Sequence, residues 1–291
     1  MHLNLHTITP LGNSRRRKFG EVFRMEDTEN GKFYVLKTAK KEAISERALE
    51  QLRNEHRFTF SDPGLPQVVS FDETDETISL LLTYKSGTGL VEFWETIPKK
   101  KRLEFTRQFV KQTAVLLDLI HSQEIFHCDL KPSNFLIEGT LENFQVHLID
   151  FGMAVNKKTG DFRSLIFPLG FAAPELILNK IDLINPTTDY FALGITMYRL
   201  WTGKLPLAHP NPSVFTNLQL AHPIPSDSSM PKQLNEWILR VCAKPHWRTA
   251  PNLMSEEEVD QRLQESFEQR YTSSVALIEA IEQVKEKRFF W

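Results

Sequence analysis

The chain has 291 residues, 41% of them hydrophobic and 25% charged, which suits one two-lobed globular domain or two small ones and excludes large-scale disorder. A formal net charge of -2 gives no global reason to expect nucleic acid or an anionic membrane surface as a partner, so any basic function must be local. Two distant cysteines, Cys128 and Cys242, support neither a disulfide framework nor a zinc site and fit a reducing compartment.

The first residues lack the basic-then-apolar order of a secretory signal, and no apolar run reaches the length of a membrane span. A cytoplasmic protein with no membrane partner is expected. Short β-like segments follow: Leu5, Thr7 and Ile8, then Gly20 to Met25, then Lys32 to Thr38. The Asn30-Gly31 pair between the last two predicts a hairpin, because both residues tolerate the left-handed conformations such a turn needs. From Lys41 to Phe60 the period changes to helical, with Ile44, Ala48, Leu49, Leu52 and His56 on one face, and Asp62-Pro63-Gly64 stops it.

Two further strands, Gln67 to Phe71 and Thr77 to Tyr84, precede small residues at Ser86, Gly87 and Gly89, after which the pattern is mainly helical. That shift sets a lobe boundary near Thr83 to Gly87. Amphipathic runs at Arg102 to Ser122, Thr188 to Thr202, Gln233 to Cys242 and Ser274 to Lys287 supply the helices of the second lobe. The basic run Lys99-Lys100-Lys101-Arg102 is either a solvated surface or an address for an acidic partner.

One loop, Ile125 to Leu136, holds a carboxylate, an ammonium and an amide within six residues: Asp129, Lys131 and Asn134. Twenty-one residues after Asp129 comes Asp150-Phe151-Gly152. Phosphoryl transfer asks for such groups: oxygen ligands that hold metal ions against phosphates, cations on the phosphates, and a carboxylate that orients the incoming hydroxyl. Either motif alone reads as an ordinary loop or turn. In this order and spacing, with Tyr34-Val35-Leu36-Lys37 upstream and Ala173-Pro174-Glu175 downstream, they resemble the motifs of eukaryotic-type protein kinases. Asp189-Tyr190-Phe191-Ala192-Leu193-Gly194 and Thr202-Gly203-Lys204-Leu205-Pro206 extend the resemblance into the second lobe.

The resemblance implies an α+β bilobal fold in a single domain over residues 1–291, with an N-lobe to about residue 83, a hinge at 83–87 and a C-lobe from about 88. It implies ATP and Mg2+ as cofactors and protein substrates as partners. Asp129 would orient or accept the substrate hydroxyl proton, Lys131 would steady the transferring phosphate, Asn134 and Asp150 would hold magnesium, and Lys37 would pair with the phosphates. Its carboxylate partner lies among Glu42, Glu46, Glu50 and Glu55; spacing selects Glu55, with Glu50 in reserve. The adenine pocket would use Gly20 and Val22 with Val35 as roof, Leu82 as gatekeeper, the backbone of Thr83, Tyr84 and Lys85 as hinge, and Leu136 as floor.

The departures carry information too. Arg15 and Arg17 stand where the phosphate loop usually has its first two glycines, and they either add charge to the phosphates or form a solvated tip; Ser14 beside them is a candidate for autophosphorylation. Cys128 stands where the family usually has the arginine that receives an activation-loop phosphate, so activity independent of phosphorylation at Thr159 or Ser164 is expected. Glu175 needs a basic partner, for which Arg248 and Arg270 compete. Choosing Arg270 makes residues 249–269 an insertion with an acidic helix from Glu256, a candidate docking segment. Lys131 favours serine and threonine as acceptors, whereas Phe167-Pro168 resembles tyrosine kinases. Two other readings stay open: a pseudokinase scaffold, favoured by the altered glycine loop, and a kinase-fold phosphotransferase for small molecules.

Overall fold

The computed structural model describes residues 4–11, 20–160 and 167–285. The readings placed on Ser14, Arg15, Arg17 and Ser164 lie outside them.

Five antiparallel strands form the first layer: β1 (Leu5–Pro10), β2 (Glu21–Asp27), β3 (Phe33–Lys40), β4 (Val68–Glu73) and β5 (Thr77–Thr83), in the spatial order β1-β2-β3-β5-β4. The β2-β3 turn closes as the Asn30-Gly31 pair predicts. Gly31 takes φ +69 and its amide donates to the Asp27 carbonyl at 2.8 Å, while Asn30 Nδ2 donates to the Asp27 carboxylate at 2.6 Å.

The predicted helix from Lys41 is shorter than its periodicity suggested. A 3-10 turn covers Lys41–Ala43, and α1 runs only from Glu46 to Glu55. Ser45 sets the start, its hydroxyl accepting from the Ala48 amide and so competing with any earlier helical turn. Ala48, Leu49 and Leu52 are buried, and Leu49 and Leu52 cluster with Ala39 and Ile78 of the sheet. Each of these leucines contributes roughly 1.5–3 kcal/mol by burial. His56 leaves the helix and stacks on Phe71 at 4.0 Å.

The chain then crosses into a helical layer through α2 (Leu90–Thr96) and α3 (Arg102–His121). Gly87 makes the crossing possible: at φ +128 a side chain there would meet the Ile137 carbonyl at 2.7 Å. Short strands follow, β6 (Thr88–Gly89), β7 (Ile125–Phe126), β8 (Phe135–Gly139), β9 (Phe144–Leu148) and β10 (Val155–Asn156). Strands β6, β8 and β9 make one small sheet, and β10 pairs with β7.

Helices α4 (Pro174–Ile177), α5 (Pro186–Thr202), α6 (Pro212–Ala221), α7 (Lys232–Val241), α8 (Glu256–Gln269) and α9 (Ser274–Glu282) complete the lobe. Helix α5 opens with an Asn185 capping box and closes at Gly203 in the left-handed conformation. Its residues Tyr190, Phe191, Leu193 and Ile195 are almost fully buried, and the core shared by α3, α5, α7 and α9 forms around them. Helix α9 ends at Glu282, short of the predicted Lys287. The architecture is an α+β fold of two lobes.

Candidate active site

Side chains from both lobes meet in the cleft between them. On the sheet side, Lys37 of β3 donates to both oxygens of Glu55, at 2.6 and 2.8 Å, and lies 3.5 Å from Asp150. Glu50, the reserve partner, instead takes a hydrogen bond from Arg53 at 2.8 Å on the outer face of α1. Burial works against the Lys37 charge, but Asp150 and Glu55 outweigh it and hold the ammonium above its ordinary range. Burial pushes the Glu55 carboxyl up, with Lys37 opposing.

On the helical side, Lys131 donates to Asp129 Oδ2 at 2.5 Å, and the Asn134 amide donates to the same oxygen at 3.1 Å and to the Asp129 carbonyl at 2.9 Å. The other carboxylate oxygen, Oδ1, is buried without a hydrogen-bond partner. An acceptor without a partner, on a carboxylate whose other oxygen is held by an ammonium and an amide, suits an incoming hydroxyl. Burial raises the Asp129 carboxyl, Lys131 lowers it and Asp150 raises it further, with a net shift upward. For Asp150 burial is outweighed by Lys37, Lys131 and His127, and its carboxyl is held below the ordinary range.

The loop geometry is held by buried carboxylate chemistry. Cys128 takes φ +59 and Asp150 φ +69, a conformation costly for L-residues. Asp189, in the first turn of α5, accepts from the amides of His127 at 2.9 Å and Cys128 at 2.8 Å, and from the His121 ring at 2.8 Å. Phe151 is fully buried between Phe60 and His127, ring centroids 4.8 and 4.7 Å away, so the residue after Asp150 is clamped by packing.

The predicted pocket residues lie on or next to β2, on β3 and β5, on the segment that joins the lobes, and on β8. Val22, Val35 and Leu136 are half-buried, and Leu82 is buried opposite Val35 in the β3-β5 register. Thr83, Tyr84 and Lys85 connect the lobes. Gly20 takes φ +88, and a side chain there would lie 2.4 Å from the Thr38 carbonyl, so this glycine is required by its approach to β3.

Magnesium has hard oxygen ligands available in Asp150 and the Asn134 carboxamide oxygen. No cluster of three His, Cys, Asp or Glu residues occurs among the described residues.

Cys128 is only 3% exposed and packs with Phe126, Met153, Val155, Phe167 and Leu176. Burial raises its thiol well above the ordinary value, so it stays protonated. The Phe167-Pro168 sequence thereby gains a packing explanation: Phe167 fills the apolar cluster around Cys128. Sequence reasoning did not anticipate that Asn54 of α1 donates to the carbonyls of Gly152 and Ala154, for which no periodic signal exists.

Residues 12–286 match the family model described as "Protein kinase domain". The chain is 38% identical over 144 residues to "Maternal embryonic leucine zipper kinase" of Danio rerio, covering 48% of this chain and 20% of that protein. It is 29% identical over 192 residues to "Serine/threonine-protein kinase D2" of Homo sapiens, covering 65% and 22%. With "Aurora kinase A-A" of Xenopus laevis it shares 27% identity over 202 residues, covering 68% and 47%. The matched stretches thus span from a fifth to about half of these relatives' lengths. No helix among the described residues is long and apolar enough to cross a membrane.

Proposed function

The chain belongs to the protein kinase family, and from that premise we propose that it transfers the γ-phosphate of ATP to serine and threonine hydroxyls of proteins. The observation that carries this reading is Asp129, whose one oxygen is held by Lys131 and Asn134 while the other has no hydrogen-bond partner. Lys37, oriented by Glu55, neutralises the α- and β-phosphates, and Lys131 meets the charge on the transferring group. Mg2+ held by Asn134 and Asp150 would offset phosphate charge and fix the leaving oxygens. Gly20, Val22, Val35, Leu82 and Leu136 enclose the adenine, and Thr83, Tyr84 and Lys85 offer it backbone hydrogen bonds. Asp129 accepts the hydroxyl proton as the oxygen attacks.

Activity without activation-loop phosphorylation belongs to the same reading. Cys128 and its apolar neighbours leave no cation at that position to receive a phosphate. The segment is fastened by other means: Val155 pairs with Phe126, and Lys157 donates to the carbonyls of Asp182 at 2.8 Å and Ile184 at 3.1 Å. Two free, buried cysteines suit a cytoplasmic location.

The test incubates purified protein with Mg2+, labelled ATP and generic protein substrates, beside Asp129→Ala. Transfer by the wild type alone supports the reading, and no transfer by either protein overturns it. Phosphoamino-acid analysis separates serine and threonine from tyrosine. Loss of activity after phosphatase treatment, reproduced by replacing Thr159 and Ser164 together, would sink the independence from loop phosphorylation.

A further inference from the structure

Helix α1 presents Gln51, Asn54 and Glu55 on its inward side, and the first two end on residues 150–154. Glu55 accepts from Lys37, which also lies 3.5 Å from Asp150. Gln51 Nε2 lies 2.7 Å from the Met153 sulfur, and its Cβ would stand 3.2 Å from any Cβ placed at Gly152. Asn54 is completely buried, and its Nδ2 donates to the carbonyls of Gly152 at 3.1 Å and Ala154 at 2.8 Å. Both protons of that amide are used, while its Oδ1 has no partner. The side chain therefore serves as a double donor.

We infer that Asn54 is a positioning residue that ties α1 to the magnesium-binding segment, so that Glu55 and Asp150 are brought to Lys37 as one unit. Moving α1 away from the cleft would strip a donor from two carbonyls in a buried stretch, which disfavours the separated state. The tie needs no phosphate and no partner protein. The kinetic part of this inference rests on the phosphoryl-transfer reading above; the structural part does not.

The experiment compares wild type with Asn54→Ala and with Asn54→Asp, an isosteric change that turns a carboxylate toward two carbonyl oxygens. ATP affinity is measured in EDTA and in Mg2+, kcat and KM are measured for a protein substrate, and hydrogen exchange is followed across residues 150–156. Both variants are expected to keep metal-free ATP affinity within about twofold and to lose most of the gain that Mg2+ confers. The expected fall in kcat is about 10- to 100-fold, with KM for the protein substrate within about threefold. Exchange at 150–156 should quicken about tenfold or more in Asn54→Ala, with α3 unchanged. Should Asn54→Asp fail to fold, Asn54→Ala carries the test. Unchanged exchange at 150–156 in Asn54→Ala, or a Mg2+ gain that the wild type shows and Asn54→Ala fully retains, would overturn the inference. A wild type that neither binds Mg-ATP nor transfers phosphate would instead defeat the catalytic reading, and exchange alone would then decide the tie.

Discussion

Arg270 donates to both oxygens of Glu175, at 2.7 and 3.1 Å, with both side chains fully excluded from solvent. The fork of the guanidinium matches the carboxylate, its Nε also reaches the Ala243 carbonyl at 2.9 Å, and Thr188 donates to the same Glu175 oxygen as Arg270 Nη1. The pair joins the end of the activation segment to the segment after α8. Of the two arginines that competed on sequence, Arg270 is the partner.

Removing one member leaves the other charge buried and alone. Arg270→Ala is expected to cost about 3–5 kcal/mol of stability, and Glu175→Ala a similar amount, in denaturant unfolding. Arg248→Ala, at an exposed position, should change stability by less than about 0.5 kcal/mol. Equal costs at Arg248 and Arg270 would contradict this account.

Strand alternation, the Asn30-Gly31 turn and the spacing of Lys37, Glu55, Asp129, Asn134 and Asp150 were legible because each depends on local pattern or on motif order. The start of α1 was legible in principle, since Ser45 is a strong cap, yet the apolar period ran past it toward Ile44 and obscured the boundary. The packing of Phe60 against Phe151 and the bonds of Asn54 to Gly152 and Ala154 join residues about ninety or more positions apart. No period encodes such meetings. The surroundings of Cys128 were hidden for the same reason, since Phe167 and Met153 reach it only in the folded chain.

Those surroundings yield a second prediction. Restoring the family's usual residue by Cys128→Arg would bury a guanidinium in an apolar cluster, at a position already in the left-handed conformation. A stability loss of about 3 kcal/mol or more is expected, and phosphatase treatment should still leave residual activity unchanged. Thermal unfolding and a kinase assay check the two halves. A stable, newly phosphatase-sensitive variant would show that the site can accept an arginine.

On the phosphoryl-transfer reading, acid should stop catalysis earlier than an ordinary carboxylate would predict. The folded Asp129 pKa is raised by burial, with Lys131 opposing and Asp150 adding, so protonation removes the hydroxyl acceptor at a pH above the usual value of about 3.9. The acid limb of kcat/KM against pH should therefore lie above that value. Lys131→Ala, besides slowing the reaction, should move the limb further up, because it deletes the main group holding Asp129 down. A limb that stays in place or moves down would exclude Asp129 as its origin.

Lys244 supplies a prediction about stability instead of rate. Burial, opposed by Cys242 and aided by Arg270, lowers its pKa to about 8; its ammonium is 3.4 Å from the Leu218 carbonyl. The unfolded chain titrates near 10.4. Below pH 8 the group is charged in both states and the cost of burying that charge is fully present. Between about 8 and 10.4 the unfolded state binds more protons than the folded one, so stability attributable to this residue rises with pH until the cost is gone. Lys244→Met should thus stabilise the protein by about 1–3 kcal/mol at pH 7, and the advantage should shrink to near zero by about pH 10.5. Urea unfolding of both proteins at pH 7, 9 and 10.5 measures the difference, from which titrations common to the two cancel. A gain that stays constant across that range would mean that the methionine side chain improves packing and that the buried charge is not what Lys244 costs.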